Sequence, residues 1–139
     1  MSAKQNVDVL LEIFAAIERR DAQRVSELCE ADVEFSWPPP LPYAGVSGLR
    51  EQRSIMARWI ALQPTAAEQK MDPRVVAATD QEVVILWRQR GVSRSGERCD
   101  SPVLGLYQVH GGKLARAEMF HFDPVAVSRF LATAQPDAA

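Results

Sequence analysis

Apolar positions recur at helical spacing in the first half of the chain and at strand spacing in the second. Val7, Leu10, Leu11, Phe14 and Ile17 follow Asn6, a residue suited to capping, and predict a first amphipathic helix that ends at Arg19-Arg20. Asp21 restarts the pattern, and Val25, Leu28 and Cys29 line a short second helix. Val33, Phe35 and Trp37 alternate with Glu34 and Ser36, which predicts a strand stopped by Pro38, Pro39, Pro40 and Pro42. The proline-rich loop and Tyr43 form a stiff rim. Ser47 suits the cap of a third helix carrying Leu49, Met56, Trp59 and Ile60, with Gln63-Pro64 as its stop.

A polar linker leads to four strand candidates, 74–79, 82–90, 98–110 and 113–122, joined by Asp80-Gln81, Ser95-Gly96 and Gly111-Gly112. They predict an antiparallel meander. The two-glycine junction accepts positive φ at both positions, so the strands around it form one hairpin. Between Pro102 and Val109 both alternating sets are largely apolar, which leaves neither face suited to water. Asp123-Pro124 caps a last helix carrying Val127, Phe130, Leu131 and Ala134.

At 139 residues the chain suits one α+β domain spanning 1–139. Charge excludes more than it suggests: sixteen basic and eighteen acidic residues without a basic run give no footprint for nucleic acid or an anionic membrane. No apolar run approaches the ~20 residues of a membrane span, and the first ten residues are too polar for a signal peptide, so a cytoplasmic location is expected. Cys29 and Cys99 read as reduced thiols, and two histidines and two cysteines without ligand spacing predict no metal site.

The segments LLEIFAAIERRDAQRVSELCEADVEF, PLPYAGVSGLREQ and GLYQVHGGKLARAEMFHFDP together cover most of the chain. In these, the sequence resembles the SnoaL-like branch of the NTF2-like superfamily. Among its enzymes it is most similar to limonene epoxide hydrolase, and more distantly to ketosteroid isomerase and the polyketide cyclases. The resemblance implies a cone, a curved antiparallel sheet wrapped around helices with an internal pocket. It also implies no metal or organic cofactor, and a homodimer.

The family's known catalytic residues do not carry over. The epoxide hydrolase's paired Arg and Asp fall near Leu86 and Arg88, its water-holding Tyr and Asn near Phe35 and Trp37, and its last-strand Asp at Phe120 or Met119. A ketosteroid isomerase would need carboxyl groups near Phe35 and near Leu104 or Gly105. None is present.

A register continued from the two turns aligns Arg88 with Ser101 and Phe122, then Leu86 with Val103 and Phe120, and sets Glu118 opposite Gly105. By resemblance this face lines the cavity, while Trp87, Pro102, Leu104, Met119 and His121 meet the partner subunit. One bulge exchanges the faces of the last strand. The candidate chemistry is then Arg88 as an anion or oxyanion binder, with Glu118, or His121 if a bulge turns it inward, moving a proton. Against it stands a structural Arg88–Glu118 pair. Phe35, Trp37, Tyr43, Trp59, Phe120 and Phe122, with Ser101 and Val103, are the candidate walls for a flat, lipophilic small molecule. The expected function is a cofactor-independent isomerase, cyclase, dehydratase or epoxide-opening hydrolase working by acid-base catalysis. The alternative is a ligand-binding or dimeric scaffold of the same fold.

Overall fold

A computed structural model describes residues 2–134. Its elements are α1 (Ala3–Glu18), α2 (Ala22–Glu27), β1 (Cys29–Trp37), β2 (Gly45–Ser47), α3 (Leu49–Ile60), α4 (Ala66–Gln69), β3 (Arg74–Ala78), β4 (Glu82–Val92), β5 (Arg98–His110), β6 (Lys113–His121) and α5 (Pro124–Ala134). The strands form a single open sheet in the order β2-β1-β6-β5-β4-β3. The predicted meander is its larger part, β3 to β6, all antiparallel. β1 joins it parallel to β6, so the sheet is mixed, and β2 hairpins back onto β1 as an edge.

Several boundaries differ from the pattern reading, each for a local reason. α1 begins at Ala3 because Ser2 and Gln5 close a capping box, the Gln5 N–H donating to Ser2 Oγ at 3.1 Å and the Ser2 N–H to Gln5 Oε1 at 2.8 Å. Asn6 therefore lies within the helix, fully buried, and its amide donates to the Thr79 carbonyl at 3.3 Å. Cys29 opens β1 instead of closing α2, and Gly48 caps α3 because Ser47 is spent on β2. The polar linker folds a short turn of helix, α4.

Register decides which side chains face the helices. Gly111 and Gly112 do form the tight turn, at φ 56° and 81°, and His110 pairs with Lys113 as expected. Two residues further on, the pairing shifts from Val109–Leu114 to Gln108–Arg116, leaving Ala115 as the extra residue of a bulge. The β4–β5 loop also departs from the assumed count. Ser93 and Glu97 bracket it with a 2.8 Å hydrogen bond, Gly96 takes φ 87°, and Arg88 pairs with Pro102, not Ser101.

Each shift exchanges the faces of one neighbour of β5, so β4 and β6 are both reassigned while Ser101, Val103 and Gly105 keep the inner face. Trp87, Val103 and His121 share one row, and Ile85, Gly105 and Met119 the next. This is the buried side, against α1, α3 and α5. Leu86, Arg88, Pro102, Leu104, Glu118 and Phe120 face outward. No helix among the described residues is long and apolar enough to cross a membrane.

Candidate functional site

A cavity of about 100 Å³ lies between the inner face of the sheet and helices α1 and α3. Leu10, Ile13 and Phe14 of α1 and Ile55, Met56 and Trp59 of α3 wall one side. Phe35, Trp37, Trp87, Tyr107, Ala117 and Met119 wall the other. At one end the lining residues Ile17, Arg20, Gln63, Gln69 and Met71 are only half-buried, which makes that end the mouth. A cavity of ~150 Å³ accommodates benzene, so a compact ligand is the natural fit.

The aromatic walls are fixed by one another. Phe14 meets Trp87 and Tyr107 edge-on at 5.9 and 6.0 Å, and Trp37 meets Tyr43 edge-on at 5.2 Å. Trp59 stacks on Phe130 at 6.0 Å, and its indole N–H donates to the Tyr43 hydroxyl at 3.0 Å. Trp37 is held by a donated 3.0 Å bond to Gln52 Oε1.

The polar groups lining the inner part of the cavity are uncharged. The Tyr107 ring folds back over Gly105, so close that a β-carbon there would sit 2.2 Å from its hydroxyl oxygen. Burial raises the Tyr107 pKa well above the usual phenol range, so the group is a donor at any physiological pH. The Trp87 indole N–H comes near that hydroxyl, but with no aligned bond, and is left without a partner among the described residues. Gln89, also lining the cavity, is 7% exposed.

The expected site residues disperse. Phe35, Trp37 and Trp59 line the cavity, while Tyr43 stands behind them as a brace. Ser101 and Val103 share the inner face but lie outside the cavity lining, and Phe120 and Phe122 point to solvent at 48% and 65% exposure. Arg88 is on the outer face, its Nε donating to Asp100 Oδ1 at 2.5 Å in a cluster with Arg90 and Asp72. Glu118, also outward, is paired with Arg116 at 3.1 Å, so Arg88 and Glu118 are not each other's partners. The bulge does turn His121 inward, but it packs against Trp37 at 5.8 Å and does not line the cavity. Neither ring nitrogen has a partner among the described residues, and burial pulls its pKa down to about 4.

Arg20, Gln52, Gln63, Gln69, Trp87, Gln89 and Tyr107 are the polar lining residues that pattern reading missed. For Trp87, Gln89 and Tyr107 the available signal was parity, since each alternates with a residue that must face out once Arg88 does.

The SnoaL-like domain profile matches residues 10–117. An uncharacterized protein of Mycobacterium tuberculosis is 30% identical over 135 residues, 95% of this chain and all of that protein. The solved structure of TerC co-crystallized with polyporic acid superposes with a TM-score of 0.75 at 19% identity, covering 92% of this chain and 98% of that one. A Xanthomonas campestris structure described as a candidate polyketide cyclase gives 0.72 at 16% identity, covering 97% and 100%. The overall fold agrees with these matches, and the chain belongs to the SnoaL-like domain family, within the NTF2-like fold.

Proposed function

We propose that the chain binds a compact, lipophilic small molecule carrying a carbonyl-type acceptor, held in the cavity by Tyr107, Trp87 and Gln89. One observation carries this reading: an aromatic cavity whose inner polar groups are uncharged and which holds the Trp87 indole N–H without a partner among the described residues. A buried donor without a partner costs about 1–3 kcal/mol, which a ligand oxygen would recover.

Proton transfer by a side chain needs a titratable group within reach of the substrate. Among the described residues no Asp, Glu or His lines the cavity, so Arg88 and Glu118 have no part in this proposal. A second reading, a cyclase or isomerase, is favoured by the candidate polyketide cyclase among the structural relatives. In it, Tyr107 and Trp87 would stabilise charge developing on a carbonyl oxygen. The substrate's own acidic C–H would release its proton to water, its electron pair becoming the enolate double bond. A homodimer would use the outer face, where Phe120 is exposed and Leu86, Leu104 and Leu106 are half-buried.

Calorimetric titration with cycloheptanone and with cycloheptane tests the binding reading. The ketone should bind more tightly, and Tyr107→Phe should weaken it about fivefold while leaving the hydrocarbon unchanged, as expected for one neutral hydrogen bond of ~1 kcal/mol. Equal affinity for the two compounds, or no binding of either, would overturn it.

A further inference from the structure

Among the described residues Arg20 is the one charged side chain lining the cavity, and it stands at the mouth. Its place is set by the end of α1. The Asp21 N–H donates to the Ala16 carbonyl at 2.8 Å and the Arg20 N–H to the Ile17 carbonyl at 3.1 Å, the paired bonds of a Schellman stop. That stop puts Arg20 at φ 64°, a left-handed position where glycine is the usual occupant. An arginine is kept there at a conformational cost.

Its guanidinium is anchored but not neutralised. Nη1 donates to the Ile17 carbonyl at 3.2 Å and Nη2 to Gln63 Oε1 at 2.9 Å. Gln63 is itself fixed, its amide donating to the Arg90 carbonyl at 2.7 Å, so its oxygen stays turned towards Arg20. Of about five N–H donors on a guanidinium, those two bonds leave the majority free. No carboxylate comes within ion-pair distance among the described residues. Glu18 exerts a favourable field, but its Oε2 accepts the Met71 N–H at 2.9 Å. Adjacent Arg19 is the contrast, paired with Glu12 at 2.7 Å and Asp21 at 3.6 Å. Burial is the larger influence on Arg20 and disfavours its charge, as for a partly desolvated cation lacking a counter-ion.

We infer that Arg20 is an anion site at the cavity mouth, and that the ligand class is a small apolar carboxylate, its hydrocarbon part inside and its acid group against the guanidinium. A fork of fixed N–H donors matches a carboxylate, and Gln63 holds that fork in place. This inference rests on the cavity-binding reading above and specifies the charge of its ligand.

The test is calorimetric titration of the purified protein with 3-cyclopentylpropionate and its uncharged isostere 3-cyclopentylpropionamide. The acid is expected to bind about tenfold more tightly, a charge-assisted bond exceeding a neutral one by roughly that factor. Arg20→Gln should bring the acid down to the amide's affinity and leave the amide unchanged, while Arg20→Lys should retain part of the preference. Circular dichroism melts check that the variants fold, and the wild-type ratio with the Lys variant decides the matter if the Gln variant does not. Equal binding of acid and amide, or a preference that survives Arg20→Gln, overturns the anion site and leaves the cavity reading intact. Binding of neither compound overturns the anion site, and the cycloheptanone titration then decides the cavity reading.

Discussion

Replacing Gly105 by Ala adds one methyl group to the inner face, at a point where the side chain two residues along occupies the space. The new β-carbon would lie 2.2 Å from the Tyr107 hydroxyl oxygen, 2.3 Å from Cζ and 2.4 Å from Cε2. Ordinary carbon contacts begin at about 3.5 Å, so the ring tip must move by more than about 1 Å. Phe14 blocks one direction, its ring centroid 6.0 Å from that of Tyr107, and the strand blocks another, which leaves the cavity as the free path. Overpacking of this kind costs about 1–3 kcal/mol, and exchanging a strand glycine for alanine returns ~0.5–1 kcal/mol. The net expected loss is therefore about 1–2 kcal/mol, or roughly 4–8 °C in Tm for a domain of this size.

Urea unfolding of a double-mutant cycle measures the cause as well as the size. Tyr107→Leu removes the ring tip, the part that meets the new methyl group, so adding Gly105→Ala in that background should be neutral or slightly stabilising. The coupling between the two sites should then reach about 1.5 kcal/mol, within the range found for residues in direct contact. A Gly105→Ala protein within 0.5 kcal/mol of the wild type, or a coupling below that value, would refute the proposed packing of Tyr107 over Gly105.

Three further outcomes follow from the two faces of the sheet. His121, with its folded pKa pulled to about 4 by burial, takes up a proton more readily unfolded than folded. Its contribution is complete above the ordinary value near 6.5 and is lost as pH falls towards 4, about 3 kcal/mol in all by the pKa difference. Stability measured from pH 7 to 4 should fall less steeply in His121→Leu, and parallel profiles would refute the assignment. Arg88→Met and Glu118→Gln should each change stability by no more than about 1 kcal/mol, as for exposed ion pairs, and should leave ligand affinity unaltered. A tenfold affinity loss in either would return those residues to the site. Phe120→Asp in the same series should shift any dimer towards monomer by light scattering, and an unaffected dimer would place its interface elsewhere.

The elements were legible in the sequence because their signals are local. Helical spacing from Val7 to Ile17, the Gly111-Gly112 turn and Asp123-Pro124 each specify backbone geometry within a few residues, and each appears where expected. The Ala126 N–H indeed donates to the Asp123 carboxylate at 3.0 Å. The candidate site was harder to read because it depends on parity over a long strand pair. A single extra residue at Ala115 exchanges every side chain of β6 beyond it.

Energetics contained the missing clue. Strict alternation from the buried Leu114 would carry Arg116 and Glu118 to the inner face, two charges desolvated beside an apolar wall. The bulge instead buries Ala117 and Met119 and leaves Arg116 and Glu118 as a 3.1 Å pair on the outside. The same preference applies at β4, where Arg88 and Arg90 reach Asp100 across the outer face while Trp87 and Gln89 turn inward. A register chosen to keep ion pairs wet, instead of one continued mechanically from the turns, would have placed Trp87 and Gln89 in the cavity beside Tyr107, which shares the face of Val103 and Gly105 in either register. Arg20 lay beyond that test as well. Its inward position depends on a left-handed helix stop at a non-glycine residue, and Arg19-Arg20-Asp21 resembles an ordinary charged helix end until the Gln63 contact across the cavity mouth is known.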